Sequence, residues 1–156
     1  MAYDNRRNGP IRGGYGGGQR GGPPPLPKAA EPKALPEDYV TLAEQAVQQL
    51  DRNRGGRFTL TTSKIRSILA MVSEVYNEEM ASSAPDISAD SAAKLRRIHV
   101  RLVYEAGREP AVKNLVEKAE LLAYLKGIGS SREAFLRYAG YLEALTAYHR
   151  FYGGDN

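Results

Sequence analysis

Apolar residues recur at three- and four-residue spacing through this chain from Pro36 onward, the period of helices that bury one face. Tyr39, Leu42, Ala43, Ala46, Val47 and Leu50 predict a first helix over residues 37–52, ended by Asn53-Arg54-Gly55-Gly56. A second is predicted over 62–80, with Thr61 or Thr62 as its N-cap and Ile65, Ile68, Leu69, Val72, Val75 and Tyr76 within about 120° of arc. The third runs over 88–106 and stops at Gly107, with Leu95, Ile98, Leu102 and Ala106 as its core face. Val100, Val103 and Tyr104 widen that face, so this helix is expected to lie centrally. Pro110 suits the first turn of a fourth helix reaching Gly127, because its missing N–H would be unpaired there anyway. Ser130-Ser131-Arg132-Glu133 has the form of a capping box, with Ser130 as cap. It opens a fifth helix over 131–152, whose seam is Phe135, Tyr138, Leu142, Leu145, His149 and Tyr152. No period-two segment of strand length occurs. The expected fold is all-α, a compact bundle of about five helices.

Residues 1–36 break this pattern. Glycine-rich sequence around Arg12, Tyr15 and Arg20 is followed by Pro23-Pro24-Pro25-Leu26-Pro27, a composition expected to be disordered. The chain is therefore divided into a Gly/Arg/Pro-rich tail, 1–36, and a helical domain, 37–154. Charge follows the same division. In the tail Arg6, Arg7, Arg12, Arg20, Lys28 and Lys33 oppose only Asp4 and Glu31, a net +4, whereas from Glu37 onward sixteen cations meet sixteen acids. The domain can attract a polyanion only if its charges are segregated in space. The tail reads either as an arginine-glycine arm for RNA or as a solubilising tether.

The chain has no cysteine, which excludes disulfides, thiolate metal sites and thiol nucleophiles. No apolar run reaches the roughly 18 residues of a membrane span, and no signal-peptide core precedes the helices. A cytoplasmic protein without membrane attachment is expected. His99 and His149, the two histidines, lie fifty residues apart on or beside apolar faces and read as core or interface residues. No paired-histidine metal motif, P-loop or nucleophile elbow is present. Neither catalysis, a metal nor a cofactor is expected.

Two basic clusters remain. On the third helix Lys94, Arg97, Arg101 and Arg108 fall within about 60° of arc opposite the core face, with Glu105 among them. They form either a basic stripe or a solvated face of intrahelical ion pairs. Arg52, Arg54, Arg57, Lys64 and Arg66 surround the start of the second helix, where Thr61, Thr62 and Ser63 would complete a phosphate cradle. Lys113, in the first turn of the fourth helix, offers a weaker site. Arg137, Tyr141, Tyr148 and Phe151 form a second face of the last helix, suited to packing or subunit contact.

Three separated segments carry a family resemblance: Leu60-Thr61-Thr62-Ser63-Lys64-Ile65-Arg66, then the stretch from Val103 to Lys113 containing Tyr104-Glu105-Ala106-Gly107-Arg108, then Ala147-Tyr148-His149-Arg150-Phe151-Tyr152-Gly153-Gly154. In this order they resemble the small subunit of the type III-A CRISPR effector, the Csm complex. The resemblance spans about residues 57–154 and does not cover the tail. It implies a non-catalytic helical subunit that stacks with further copies in the minor filament. Its implied partners are guide RNA, target RNA, the repeated backbone subunit and the large polymerase-like subunit. Since Arg108 lies inside the second of these segments, the resemblance tips the basic clusters toward RNA, with Arg57, Lys64, Arg66, Arg97, Arg101, Arg108 and Lys113 as the candidate contacts to its backbone.

Overall fold

Capping side chains set most of the helix starts. Asp38 accepts from the Thr41 amide (3.4 Å) ahead of α1, Tyr39–Gln48. Thr61 accepts from the Lys64 amide (3.3 Å) ahead of α2, Thr62–Met80. Ser88 accepts from the Ser91 amide (3.0 Å) ahead of α3, Ala89–Arg108. Pro110 begins α4, Pro110–Lys118, and a short α5 follows at Leu121–Gly127. Ser131 accepts from the Ala134 amide (3.1 Å) ahead of α6, Arg132–Phe151. This is a computed structural model in which residues 21–26 and 28–154 are described. Among them the protein is all-α, with two isolated β-bridges as the only extended pairings.

Several boundaries differ from the sequence pattern for local reasons. α1 ends at Gln48 instead of reaching Arg52, because Leu50 turns into the core and the Asp51 amide donates to Asn114 Oδ1 of α4 (2.9 Å). α3 passes through Gly107 and stops after Arg108, where Glu109 becomes extended (φ −125°, ψ 118°). The residue before a proline is pushed out of the helical region, so Pro110 ends α3 as well as starting α4. The cap of α6 is Ser131, not Ser130. The Ser130 hydroxyl donates to Asp86 (3.3 Å) and its carbonyl accepts from Ile87 (2.9 Å), tying the loop before α3 to the start of α6.

The expected fourth helix is two. Glu120 adopts a left-handed conformation (φ 50°, ψ 41°), which costs a non-glycine residue about 1 kcal/mol. Buried tyrosines of α6 offset it: the Tyr141 hydroxyl donates to the Ala119 carbonyl (2.9 Å) and the Tyr138 hydroxyl to the Leu121 carbonyl (3.0 Å). Burial pushes both phenol pKa values well up, so both hydroxyls keep the proton they donate.

Helix α6 is the centre of the packing. Phe135, Tyr138, Ala139, Tyr141, Leu142, Leu145 and His149 are buried, mainly against α1 and α2. Gly140 allows α1 to approach, since a Cβ there would come 2.6 Å from the Tyr39 hydroxyl. α3 packs on α2 and α4 through Leu95, Ile98, Leu102 and Ala106. The expectation that α3 is central fails, because Val100 and Tyr104 are 67% and 60% exposed and Val103 is also open to solvent. Thr62, Glu79, Ser91 and His149 are polar residues buried with the apolar ones. Glu79, at the end of α2, accepts from the Ser88 amide (3.2 Å), while its own carbonyl accepts from Arg132 Nε (2.8 Å). The adjacent Ser91 hydroxyl and the Ser88 amide hold the Glu79 carboxyl below the usual carboxylate range, against the opposing effect of burial.

The last part of the tail, after the proline run, is held against the domain. Residues 28–36 form an extended strap over α5 and α6. The Lys33 amide donates to the Ala123 carbonyl (3.0 Å), and Lys126 Nζ donates to the Ala30 carbonyl (2.8 Å). Lys33 Nζ pairs with Glu120 (2.6 Å), Arg137 donates to the Leu35 carbonyl (3.2 Å), and Leu35 is buried. The arginines at 6, 7, 12 and 20 and Tyr15 lie outside the described residues.

Replacing Tyr138 or Tyr141 by Phe keeps the ring packing but strips one buried carbonyl at the α4–α5 break of its donor. Each variant should lose about 1–3 kcal/mol of unfolding free energy in urea titrations. Wild-type stability in both would mean that these hydroxyls do not support the break.

A candidate nucleic-acid interface

The residues between α1 and α2 fold into a tight loop closed by the antiparallel pairing of Arg52 with Phe58. Asn53 Oδ1 accepts from the Gly55 (2.9 Å) and Arg57 (3.1 Å) amides, and Gly56 supplies the positive φ (77°) of the turn. Arg54 and Arg57 are exposed on this loop. Arg52, grouped with them in the sequence, has a structural role. Its guanidinium lies 3.9 Å from the Phe58 ring centre and donates to the Gly56 (2.7 Å) and Tyr152 (3.4 Å) carbonyls.

Beneath Phe58 lies His149, stacked at 4.9 Å between ring centres. Its Nε2 is 2.8 Å from the Leu60 carbonyl and must carry the proton, whereas Nδ1 is buried without a partner. Burial holds this imidazole below the ordinary histidine pKa, with Arg52 adding to the effect and the Leu60 carbonyl opposing it. His149 is a neutral core residue that anchors the loop. His99, half-buried, is also depressed, by burial first and then by Lys126.

The expected phosphate cradle at the start of α2 does not form as drawn. The Thr61 hydroxyl is occupied in capping, and the Thr62 side chain is buried. Lys64 turns toward the end of α3, 2.7 Å from Glu109 and 3.9 Å from Glu105. Arg101 pairs with Glu105 (3.6 Å) and Arg108 with Glu109 (3.9 Å). The two sequence clusters therefore meet at the α2, α3 and α4 junction, three cations around two carboxylates. The carboxylate side chains are set back, 15% and 29% exposed, and the Arg101 side chain stands out at 65%. Tyr104 and both carboxylates raise the pKa of Arg108.

Other members of the stripe are elsewhere. Lys94 sits among Glu78, Asp90 (3.4 Å) and Glu74 (3.9 Å), bridging α2 and α3. Arg66, Arg97 and Lys113 are exposed and have no ion pair among the described residues. Arg97 lines a shallow depression with Ala93, Arg96 and Val100, and Lys113 faces a different groove beside Gly107. Arg96 and Tyr104 were missed as surface candidates. The Arg96-Arg97 pair is visible in the sequence, whereas Tyr104 sits in an apolar stretch beside the core face and only the packing leaves it 60% exposed.

The α6 face also divides. Arg137 is held by Leu35 and Glu133 (3.5 Å) and approaches Glu37 (4.0 Å), and Tyr141 is in the core, where it takes the packing role of the two expected of this face. Tyr148 remains half-buried, stacked on Tyr152 at 6.2 Å. Phe151 is 77% exposed. Tyr152 is fastened to α1 through Glu44 and Gln48.

The described residues thus form an all-α scaffold with clustered cations, set-back carboxylates and an aromatic terminus. Among the described residues no group of three or more side chains could hold a metal ion, and no helix is long and apolar enough to cross a membrane. The family model described as Csm2 Type III-A matches residues 34–155. The chain belongs to that family, as the three sequence segments indicated. The "CRISPR system Cms protein Csm2" of Streptococcus thermophilus is 42% identical over 120 residues, 77% of this chain and 95% of that protein. The protein of the same name from Mycobacterium tuberculosis strain H37Rv is 38% identical over 117 residues, 75% and 93% of the two chains. That of Enterococcus italicus is 37% identical over 95 residues, 60% and 68%.

With His149 depressed in the folded state, the unfolded chain takes up the proton first as pH falls. Stability is then full above the ordinary histidine value and declines below it by up to about 1.4 kcal/mol per pH unit. The urea midpoint should fall between about pH 8 and about pH 5.5, and His149→Gln should show a shallower fall, the remainder coming from His99. An undiminished fall in the variant would remove His149 as its cause.

Proposed function

We propose that this chain is a non-catalytic subunit of a type III-A CRISPR effector, cytoplasmic, and that it supports the capture of target RNA by guide RNA. Its contribution is positive surface and shape. The contacts go to phosphate and sugar, because the guide reads sequence by base pairing and the protein must accept any target. Further copies stack beside it in the minor filament, next to the repeated backbone subunit and the large polymerase-like subunit. Family membership supports this reading, and the observation that carries it is the meeting of Lys64, Arg101 and Arg108 at one junction. Arg57 and Arg66, near the start of α2, and Arg97 and Lys113, on other parts of the surface, supply further exposed cations.

A second reading, a helical adaptor that touches only protein, draws on the ion pairing of those cations and on the exposed Phe151 beside the half-buried Tyr148. The two differ in their response to charge removal. Ala at Arg57, Lys64, Arg101 and Arg108 should leave the fold intact, since partly exposed ion pairs contribute about 0–1 kcal/mol each. Within the assembled complex these variants should weaken target RNA capture and flatten its salt dependence by about 0.7 in log–log slope per lost contact. Unchanged capture, with loss of assembly on replacing Tyr148 and Phe151, would favour the adaptor.

A further inference from the structure

Glu105 sits beside Arg101, where it repels any phosphate that approaches that guanidinium. Its side chain is only 15% exposed, so solvent covers little of the carboxylate. Oε1 stands 3.6 Å from Arg101 Nε and Oε2 stands 3.9 Å from Lys64 Nζ, beyond the roughly 2.7–3.2 Å of an N–H···O hydrogen bond. These cations attract the carboxylate without bonding it, and Lys64 is held closer by Glu109, at 2.7 Å. Ser67, one turn along α2 from Ser63, donates its hydroxyl proton to the Ser63 carbonyl (3.0 Å). Among the described residues, therefore, no donor fills the acceptor positions of Glu105, of which a carboxylate has about four.

Those positions face a pocket. Glu105, Lys64, Arg101 and Ser67 line it where α2, α3 and α4 meet, with Ile68, Met71 and Val112 as its apolar walls. Its volume is about 180 Å³, less than the roughly 300–1,000 Å³ of a site for a small organic ligand and of the scale of a single sugar. The Arg101 side chain, 65% exposed, stands out into solvent beside it. The pocket thus offers a hydrogen-bond acceptor inside and a cation at its edge. RNA presents the complementary pair, because its 2′-hydroxyl, a donor, is on the ribose carbon next to the one that carries the 3′-phosphate. Base edges carry donors too, but these differ from base to base. The 2′-hydroxyl is the donor that every nucleotide shares, as a site indifferent to sequence requires.

We propose that this pocket takes one ribose of the bound RNA, with Glu105 accepting from the 2′-hydroxyl while Arg101 holds the neighbouring phosphate. Glu105 is then the residue by which this chain tells RNA from DNA. Against DNA the carboxylate meets backbone charge and receives no donor in return, and a site built to bond a hydroxyl rejects the analogue that lacks it. The inference rests on the RNA-binding reading above and names the specificity of that junction.

The test uses the full chain and three single-stranded oligonucleotides of one mixed sequence: RNA, RNA with fluorine at every 2′ position, and DNA. Fluorine preserves the sugar pucker of RNA but donates no hydrogen bond, so it separates the donor from backbone shape. At fixed salt the wild-type chain should bind RNA about tenfold more tightly than either analogue. Glu105→Ala should bring that ratio to within about twofold, mainly by raising affinity for the analogues, since a repelling charge is gone. Glu109→Ala removes the same charge from the same junction and should strengthen binding of all three while keeping the ratio. A wild-type ratio near one between RNA and its 2′-fluoro form would overturn the proposal without any variant, and if DNA alone bound poorly, backbone shape would be the cause. A ratio that survives in Glu105→Ala, or that collapses equally in Glu109→Ala, would also overturn it. Arg101→Ser with Arg108→Ser separates this failure from that of the parent reading. If the double variant binds all three oligonucleotides as the wild type does, the junction does not hold nucleic acid at all; if it binds them more weakly, a wild-type ratio near one removes the ribose contact alone.

Discussion

Burial of α6 is the constraint on which the other elements depend. Its apolar seam packs against α1 and α2, and its two inward tyrosine hydroxyls hold the carbonyls where the chain breaks between α4 and α5. Its C-terminal end carries His149, under the Phe58 ring that Arg52 covers. One helix thereby sets the α4–α5 angle, the position of the α1–α2 loop and the depth of α1. Polar groups of α6 work here as connectors because the Tyr138 and Tyr141 hydroxyls and the His149 Nε2–H each meet a carbonyl that would otherwise be unsatisfied.

The surface follows a different logic. Lys64, Lys94, Arg101 and Arg108 are paired with carboxylates, several of them across helices. Pairs such as Lys64 with Glu109 and Lys94 with Glu78 join α2 to its neighbours, although exposed ion pairs add little stability individually. Their larger effect is on where phosphate could sit. Arg101 projects beyond the carboxylates that neutralise it, which favours contact at the rim of the junction and disfavours general stickiness. Arg66, Arg97 and Lys113, exposed and without an ion pair among the described residues, lie away from that rim.

Much of this was legible in the sequence because the signals were local. The bounds of α2, the stripe Leu95, Ile98, Leu102 and Ala106, and the start of α4 at Pro110 follow from periodicity, capping and proline geometry within a turn or two. The errors were nonlocal. Ser130 and Ser131 are equally good caps until Asp86 and Ile87 engage Ser130. Glu120 has no local reason to turn left-handed, since the compensating donors come from Tyr138, Tyr141 and Lys33. The candidate site behaved similarly: the sequence could place Arg101 and Arg108 on one helical arc, but not Lys64 against Glu109.

The sequence by itself determined an all-α domain, its charge balance and its family, because periodicity, composition and short ordered segments are properties of the chain. Only the tertiary structure decided which apolar residues are core. Tyr141 is buried and Tyr104 is not, although both lie on helices rich in apolar residues, and the difference is whether another helix covers that face. It likewise decided that the resembling stretch around Arg108 is a junction shared with Lys64. Contact between residues distant in sequence requires a particular packing of helices, and periodicity along one helix carries no information about the azimuth at which the next will meet it.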